Sequence, residues 1–497
     1  MSFELVQSIC AECGRPVPAV YMRLGDAVYL EKTCAEHGIS RVLASENAEA
    51  FERWIAFPSV TVPPRVFLAK GAGERSECPL HCGPCENHLM TACCVLLNVT
   101  NRCNQHCPWC FAEAGELKAN DVYGSEPALA DIGRWLDLLT ELGEERKFNI
   151  QLSGGEPTVR GDLPEIIGLC RKQGFEYVQL NTNGRKLAED PAYAKELKAA
   201  GLSTVFLQFD GVSDDVYVAL RGEPLLDVKK TAIQNCAAAG LPVTLVPTVL
   251  KSVNLSQTGA IIDFMLGNIK TVKGVHFQPA SFFGRQPEER NEDGDFDERV
   301  TMFAIMEEIE KQTNGRIQKS DLAPISTGHP LCCFCAAYMK EPGGEPRPIS
   351  SGGPCCGSGE AASSSLGDES CYEPPYEPSY ELSDGRSVVD PLEIIRRDRD
   401  FVLNKWDVCA PEEEARSASE EDGGNRAMSF DEALAIFKNN MFTISGMAFM
   451  DETNLDAERL RRCRVQVFSP EERLVPFCAY YSGGRKRLEK GRFNDQR

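Results

Sequence analysis

The chain has 497 residues, with 53 Lys plus Arg against 74 Asp plus Glu for a net charge of −21, a length that suits a catalytic core with appended pieces and a balance that argues against nucleic-acid binding. No apolar run approaches the ~20 residues of a membrane span, and the opening MSFELVQSICAECG lacks a basic stretch followed by an apolar one, so a cytoplasmic location without a transmembrane segment is expected. In a reducing setting the 22 cysteines are not a disulfide framework, and their clustered spacing is that of metal ligands.

Residues 1–75 carry CAEC, with Cys10 and Cys13, and then CAEHG, with Cys34 and His37. Two such knuckles place three thiolates and an imidazole around one mononuclear ion, the logic of a zinc-ribbon or rubredoxin-like module, and a thiolate-rich site of this kind accepts Zn or Fe. Residues 76–93 follow with SECPLHCGPC, which holds Cys78, Cys82 and Cys85, and then Cys93. A fourth thiolate so close at hand closes an iron–sulfur cluster, so this segment is expected to hold an auxiliary cluster.

From residue 94 to about 320, short apolar runs alternate with amphipathic stretches: CVLLNVT, FNIQLSG, YVQLNTNG, STVFLQFDG, LPVTLVPTV and VHFQPAS are the candidate strands. Such runs suit parallel strands buried on both faces, in a closed or partly closed α/β barrel whose chemistry lies at the strands' carboxyl ends. Leu129, Ile132, Trp135, Leu136, Leu139 and Leu142 recur at helical spacing and are expected to face the core. The first strand is followed by NRCNQHCPWC, with Cys103, Cys107 and Cys110. No further cysteine appears until Cys170, which reads as a core thiol, so this triplet binds three irons of a cubane and leaves the fourth open. The next strand ends in SGGEP, where Gly154 and Gly155 allow close approach of a ligand and Glu156 supplies a carboxylate.

Residues 341–385 are rich in Pro, Gly, Ser and Glu and are expected to form a disordered insertion. Beyond it, SFDEALAIFKNNMFTISGM reads as a helix capped by Ser429 with Glu432 three residues on. The C-terminal region, 321–340 and 386–497, brings Cys332 and Cys335 of HPLCCFC together with Cys463 and Cys478 as ligands of a second auxiliary cluster.

CNQHCPWC followed one strand later by GGEP resembles the radical S-adenosylmethionine (SAM) superfamily, which implies a partial (β/α)6 radical SAM barrel. In that family a site-differentiated 4Fe–4S cluster chelates SAM, and one-electron reduction yields a 5′-deoxyadenosyl radical that abstracts hydrogen from an unactivated C–H bond. The resemblance implies cluster ligation by Cys103, Cys107 and Cys110, packing of Trp109 near the adenine, and reception of the methionyl amine by Gly154, Gly155, Glu156 and Pro157. Asn183, Gln208 and Asp210, at the ends of the third and fourth strands, are candidates for ribose, carboxylate or substrate contacts, with ordinary capping of the barrel rim as the alternative.

Over nearly the whole chain the motifs are similar to the subfamily of archaeal tetraether lipid synthases and their bacterial relatives, which carry auxiliary iron–sulfur clusters beside the catalytic one, in keeping with the two auxiliary 4Fe–4S clusters expected here. That resemblance implies carbon–carbon coupling of lipid tails, a reducing donor such as ferredoxin or flavodoxin, and a lipid or small-molecule substrate, with peripheral contact to a membrane compatible with it. Methyl transfer to a pterin is the alternative within the same neighbourhood, and a non-catalytic iron–sulfur electron carrier is the alternative from outside it. Thr327 stands where the subfamily pattern has a cysteine, so Cys333 or Cys335 replaces that ligand or the C-terminal cluster is altered.

Overall fold

The computed structural model describes residues 2–64, 83, 85, 87–115, 126–142, 148–286, 298–325, 327–349, 379–381, 387–389 and 439–484. At the N-terminus, β1 (Ser2–Ile9), β2 (Pro16–Leu24), β3 (Ala27–Cys34) and β4 (Gly38–Ser45) form an antiparallel meander. Burial alternates along β2 and β3, so Val17, Ala19 and Tyr21 share the inner face with Val28, Leu30 and Lys32. The β1–β2 and β3–β4 turns fall at the same end, which is where the two cysteine knuckles sit. Helix α1 (Ala48–Ile55) starts at Asn47, whose side chain accepts from the Ala50 amide at 2.9 Å.

All six expected strands form. β5 (Cys94–Thr100), β6 (Asn149–Gly154), β7 (Val178–Thr182), β8 (Thr204–Gln208), β9 (Val243–Val246) and, after the short β10 (Thr248–Val249), β11 (Val272–Pro279) run parallel, each beside the next in that order. The crossovers carry α2 (Leu129–Leu142), α3 (Leu163–Lys172), α4 (Arg185–Glu189), α5 (Pro191–Ala199), α6 (Asp214–Arg221), α7 (Leu226–Ala238) and α8 (Thr258–Gly267), and α9 (Met302–Gln312) follows β11. On α2, Ile132, Trp135, Leu136, Leu139 and Leu142 are buried as the periodicity requires, and Cys170 on α3 is a fully buried core thiol.

The C-terminal chain does not stand apart from this sheet. β12 (Cys333–Lys340) forms a hairpin with β13 (Pro346–Pro348), and a separate pair, β14 (Ser379–Glu381) and β15 (Ser387–Val389), comes next. β16 (Met441–Met447) then inserts between β11 and β12, parallel to β11, and is followed by α10 (Ala457–Arg461). At the opposite edge β17 (Val465–Phe468) lies parallel to β5 and pairs with β18 (Leu474–Pro476). Both edges of the six-stranded core are thus covered by the same C-terminal segment, which satisfies backbone groups that an open sheet would expose.

Two expectations change here. Residues 341–349, read as the start of a disordered insertion, form the ordered turn and strand after β12, with the Glu341 amide donating to the Glu345 carbonyl at 2.9 Å. MFTISGM, read as the end of a helix, is strand β16, because Phe442 and Ile444 are buried in the sheet and its β-branched and aromatic residues suit a central strand. Ser429, Glu432 and residues 350–378 lie outside the described residues. Among the described residues no helix is long and apolar enough to cross a membrane.

Candidate functional site

The cysteine loop begins where β5 crosses the end of β6. The Gly155 amide donates to the Thr100 carbonyl at 2.7 Å and the Glu156 amide to the Arg102 carbonyl at 2.8 Å. A Cβ on Gly154, whose φ is +117°, would stand 2.2 Å from the Thr100 oxygen, and one on Gly155 would stand 2.1 Å from the Arg102 oxygen. The two glycines therefore admit the chain's own backbone at this crossing. Farther along, Cys110 exchanges two backbone hydrogen bonds of 2.9 Å with Arg285, and Gly284, at φ +77°, passes so close that a Cβ there would lie 2.4 Å from the Cys110 oxygen. Cys107 is buried, and Cys103 and Cys110 are half-buried.

Trp109 is held by a buried ion pair. Arg221 donates to both oxygens of Asp210 at 2.7 Å, to the Thr248 hydroxyl at 3.0 Å and to the Trp109 carbonyl at 2.9 Å. The Trp109 ring meets Phe282 edge-on at 5.7 Å. Asp210 is fully buried and committed to this clamp, so its place among the ligand contacts gives way to a role in positioning the loop. Glu156 changes in the same way. Its carboxylate accepts from the Thr158 amide at 3.1 Å, the Thr158 and Thr182 hydroxyls at 2.7 Å each, and the Asn183 amide at 2.7 Å. Three of these donors meet Oε1 and one meets Oε2, so the carboxylate ties the turn after β6 to the end of β7. Pro157 opens the single turn that follows. Asn183 bridges to the cysteine loop by donating to the Asn104 side-chain oxygen at 2.7 Å.

Sequence reasoning missed Lys229 and Arg221 as site residues. Arg221 was visible as part of an LRG run, whereas Lys229, on α7, had no motif to mark it. Its ammonium is fully buried and donates to the Asn183 carbonyl at 2.6 Å and the Gln208 side chain at 3.3 Å. The Gln208 amide stands between this ammonium and the Arg221 guanidinium and has one oxygen to serve both. Burial pulls Lys229 down from its ordinary 10.5 to about 8. The folded chain therefore binds fewer protons than the unfolded chain between pH 8 and 10.5. Stability of the wild type relative to Lys229→Met should rise by about 3 kcal/mol across that window. Denaturant titrations at pH 8 and 10.5 check this, and a difference that does not change with pH would contradict it.

Burial pushes the Cys103 thiol up to about 12 and raises Cys107 as well. Thiolates in this setting call for a positively charged partner, and the donor set, three cysteines without a fourth, fits an iron–sulfur cubane with one open iron. Beside the loop, Nδ2 of Asn101 and Nε2 of Gln105 are buried without a hydrogen-bond partner, which leaves polar capacity for a bound group.

In the ribbon, the ligand atoms of Cys10, Cys13, Cys34 and His37 all lie within 4.8 Å of one another. His37 Nδ1 is 3.6 Å from Cys10 Sγ and 3.5 Å from Cys34 Sγ. The Glu36 backbone amide and the His37 ring pull Cys34 down to about 6, so a thiolate is ready at neutral pH. One equivalent of Zn or Fe is expected at this site, and Cys10→Ser/Cys34→Ser should lose it; unchanged metal analysis of that variant would contradict the assignment.

Burial raises the Cys463 and Cys478 thiols, each of which also has Cys332 nearby, and Arg459 lies beside Cys332. Cys335, expected in this group, is disulfide-bonded, so its thiol is not offered to the others. Cys93 lies near Cys94 and Cys333, and Cys333 is nearer still to Cys332, so the two sets meet at Cys333. Cys85 is described, and Cys78 and Cys82 lie outside the described residues. Thr327 is fully buried and hydrogen-bonded to the Arg464 guanidinium.

Residues 97–265 match the model of the radical SAM superfamily, and residues 3–46 match the HMPTM N-terminal zinc ribbon domain. A 7,8-dihydro-6-hydroxymethylpterin dimethyltransferase of Methanocaldococcus jannaschii is 33% identical over 97% of this chain and 94% of its own length. The chain belongs to the radical SAM superfamily. An Fe-coproporphyrin III synthase of Methanosarcina barkeri is 31% identical over 44% of this chain and 51% of its own length. A solved structure of Streptococcus suis SuiB bound to S-adenosylmethionine is 15% identical and covers 46% of this chain and 48% of that one, with a TM-score of 0.36.

A radical SAM enzyme uses SAM and a 4Fe–4S cluster and requires a reductant. The α/β core with its N-terminal zinc ribbon agrees with the fold expected from the sequence. The tetraether subfamily and its lipid substrate find no support in these relatives, and the name of the Methanocaldococcus jannaschii relative favours the pterin alternative.

Proposed function

We propose that this radical SAM enzyme methylates carbon on a pterin or a similar small heterocycle: one SAM and one electron would give methionine and the radical that takes the C–H hydrogen away as 5′-deoxyadenosine, and a second SAM with a second electron from the reductant would supply the methyl group and leave as S-adenosylhomocysteine. The observation that carries the reading is near full-length similarity to a pterin dimethyltransferase, together with an N-terminal ribbon that matches the HMPTM N-terminal zinc ribbon domain. Cys103, Cys107 and Cys110 would hold the catalytic cluster, which supplies the electron that cleaves SAM to a 5′-deoxyadenosyl radical. The Asp210–Arg221 clamp fixes Trp109 for the adenine, Glu156 braces the end of β7, and Lys229 locks the Asn183 and Gln208 positions. Cys93 with Cys78, Cys82 and Cys85 would form one auxiliary cluster. Cys332, Cys463 and Cys478 would form another, with Cys335 once reduced or the neighbouring Cys333 as fourth ligand. A ferredoxin or flavodoxin would deliver electrons.

A second reading, coupling of lipid tails, draws on the apolar wall beside the cysteine loop. Phe111 lies 5.0 Å from Tyr481 and 5.7 Å from Phe477, and Phe283 stacks on Tyr481 at 5.8 Å. Mass analysis of products formed by the reduced, loaded enzyme with SAM separates the two. A pterin heavier by one or two methyl groups is expected; joined alkyl chains from a diether lipid, with the pterin unchanged, would sink the pterin reading.

A further inference from the structure

The segment after β11 reaches the cysteine loop twice. Arg285 exchanges backbone bonds with Cys110, and Phe282 meets the Trp109 ring edge-on at 5.7 Å. Arg221 holds Trp109 by its carbonyl, which fixes the backbone and not the direction of the indole. That direction comes from what the ring touches, namely the cluster of Val216, Leu220, Leu250 and Ala280 together with Phe282.

One buried ion pair holds Phe282 by both its backbone and its ring. The Phe282 amide donates to Asp451 at 3.0 Å, and the Arg299 guanidinium lies over the Phe282 ring, 4.7 Å from its centroid. Arg299 donates to the two oxygens of Asp451 at 3.1 and 3.3 Å, with the Arg299 side chain 6% exposed and that of Asp451 fully buried. Arg299 also donates to the Thr453 hydroxyl at 2.7 Å, and the Asp451 carboxylate accepts from the Thr453 amide at 3.0 Å. A planar guanidinium can pair with a carboxylate and lie on an aromatic face at the same time. The loop that carries Asp451 is fastened to the ribbon as well: Ser8 donates to the Leu455 carbonyl at 2.6 Å, Lys32 to the Glu452 carbonyl at 3.1 Å and Tyr21 to Asp456 at 2.9 Å. Relative to apolar side chains of similar volume a buried ion pair contributes little net stability, whereas its fixed directions set the ring it touches.

We propose that Asp451 and Arg299 are positioning residues for SAM, holding Phe282 so that its ring sets the indole of Trp109 against the adenine. The assignment rests on the reading above that Trp109 serves the adenine, and adds the groups that orient it.

Equilibrium dialysis of the cluster-loaded holoenzyme with labelled SAM and, separately, with labelled methionine tests it. Methionine offers the same amine and carboxylate and lacks the adenosine, so the ratio of the two affinities isolates the nucleoside side of the site. Asp451→Leu/Arg299→Met removes both charges together, and Phe282→Leu removes the ring while leaving the ion pair in place, so neither buries an unpaired charge. In each, SAM binding should weaken about threefold to tenfold, the worth of an aromatic contact, with methionine binding unchanged. Trp109→Leu is the reference and should narrow the ratio at least as far. A wild-type ratio in either of the first two variants, or an equal loss of SAM and methionine, would overturn the positioning roles while Trp109→Leu still upholds the adenine reading. A wild-type ratio in Trp109→Leu itself would overturn both.

Discussion

Gly155→Ala is expected to abolish loading of the catalytic cluster and to cut SAM cleavage by about 100-fold or more, because a displacement of the order of an ångström at such a site has that effect. The new Cβ would sit 2.1 Å from the Arg102 oxygen and 2.8 Å from its carbon, both backbone atoms with no rotamer to escape into. Relief requires moving Asn101 and Arg102, and with them the approach to Cys103. The ribbon site is remote in sequence and built on its own sheet, so its metal content should not change. Iron and zinc analysis with a 5′-deoxyadenosine assay checks both halves. Retention of full cluster loading in the variant would show that the crossing is not what sets the loop.

Arg221→Met is expected to destabilise the full chain by about 3 to 5 kcal/mol, since it leaves Asp210 charged, buried and without its partner. It also releases the Trp109 carbonyl, so SAM cleavage should fall even where the protein remains folded. Replacing both partners, Asp210→Leu with Arg221→Met, should recover much of the stability without recovering activity, because the unpaired charge is gone and the clamp on Trp109 is still absent. Denaturant midpoints for the single and double variants test this. A single variant within about 1 kcal/mol of wild type would mean that the pair is solvated and carries little.

The barrel and the ribbon were legible in the sequence because both rest on local periodicity. Six apolar runs bounded by turn residues became six parallel strands, and the spacing of Cys10, Cys13, Cys34 and His37 became one tetradentate cluster. Roles that depend on which partner a side chain meets were not legible. Glu156 and Asp210 look like ligand groups in sequence, yet in the fold they also brace the chain itself through Thr158, Thr182, Asn183 and Arg221. Gly154 and Gly155 signalled close approach correctly, but only the structure identifies the approaching atoms as the chain's own carbonyls. β16 was mistaken for the end of a helix because its strand character comes from neighbours, β11 and β12, that no local window contains. Lys229 carries no spacing signal, since a single lysine on a helix reads as a solvated face until the end of β7 is found packed over it.

The central claim is that the loop from Cys103 to Cys110 supports one-electron cleavage of SAM. Anaerobically reconstituted full-length enzyme, reduced in the presence of SAM, should yield 5′-deoxyadenosine and methionine in equal amounts, and the Cys103→Ala/Cys107→Ala/Cys110→Ala variant should yield neither while retaining its ribbon metal. Persistence of 5′-deoxyadenosine in that variant, or formation of S-adenosylhomocysteine alone by the wild type, would contradict it.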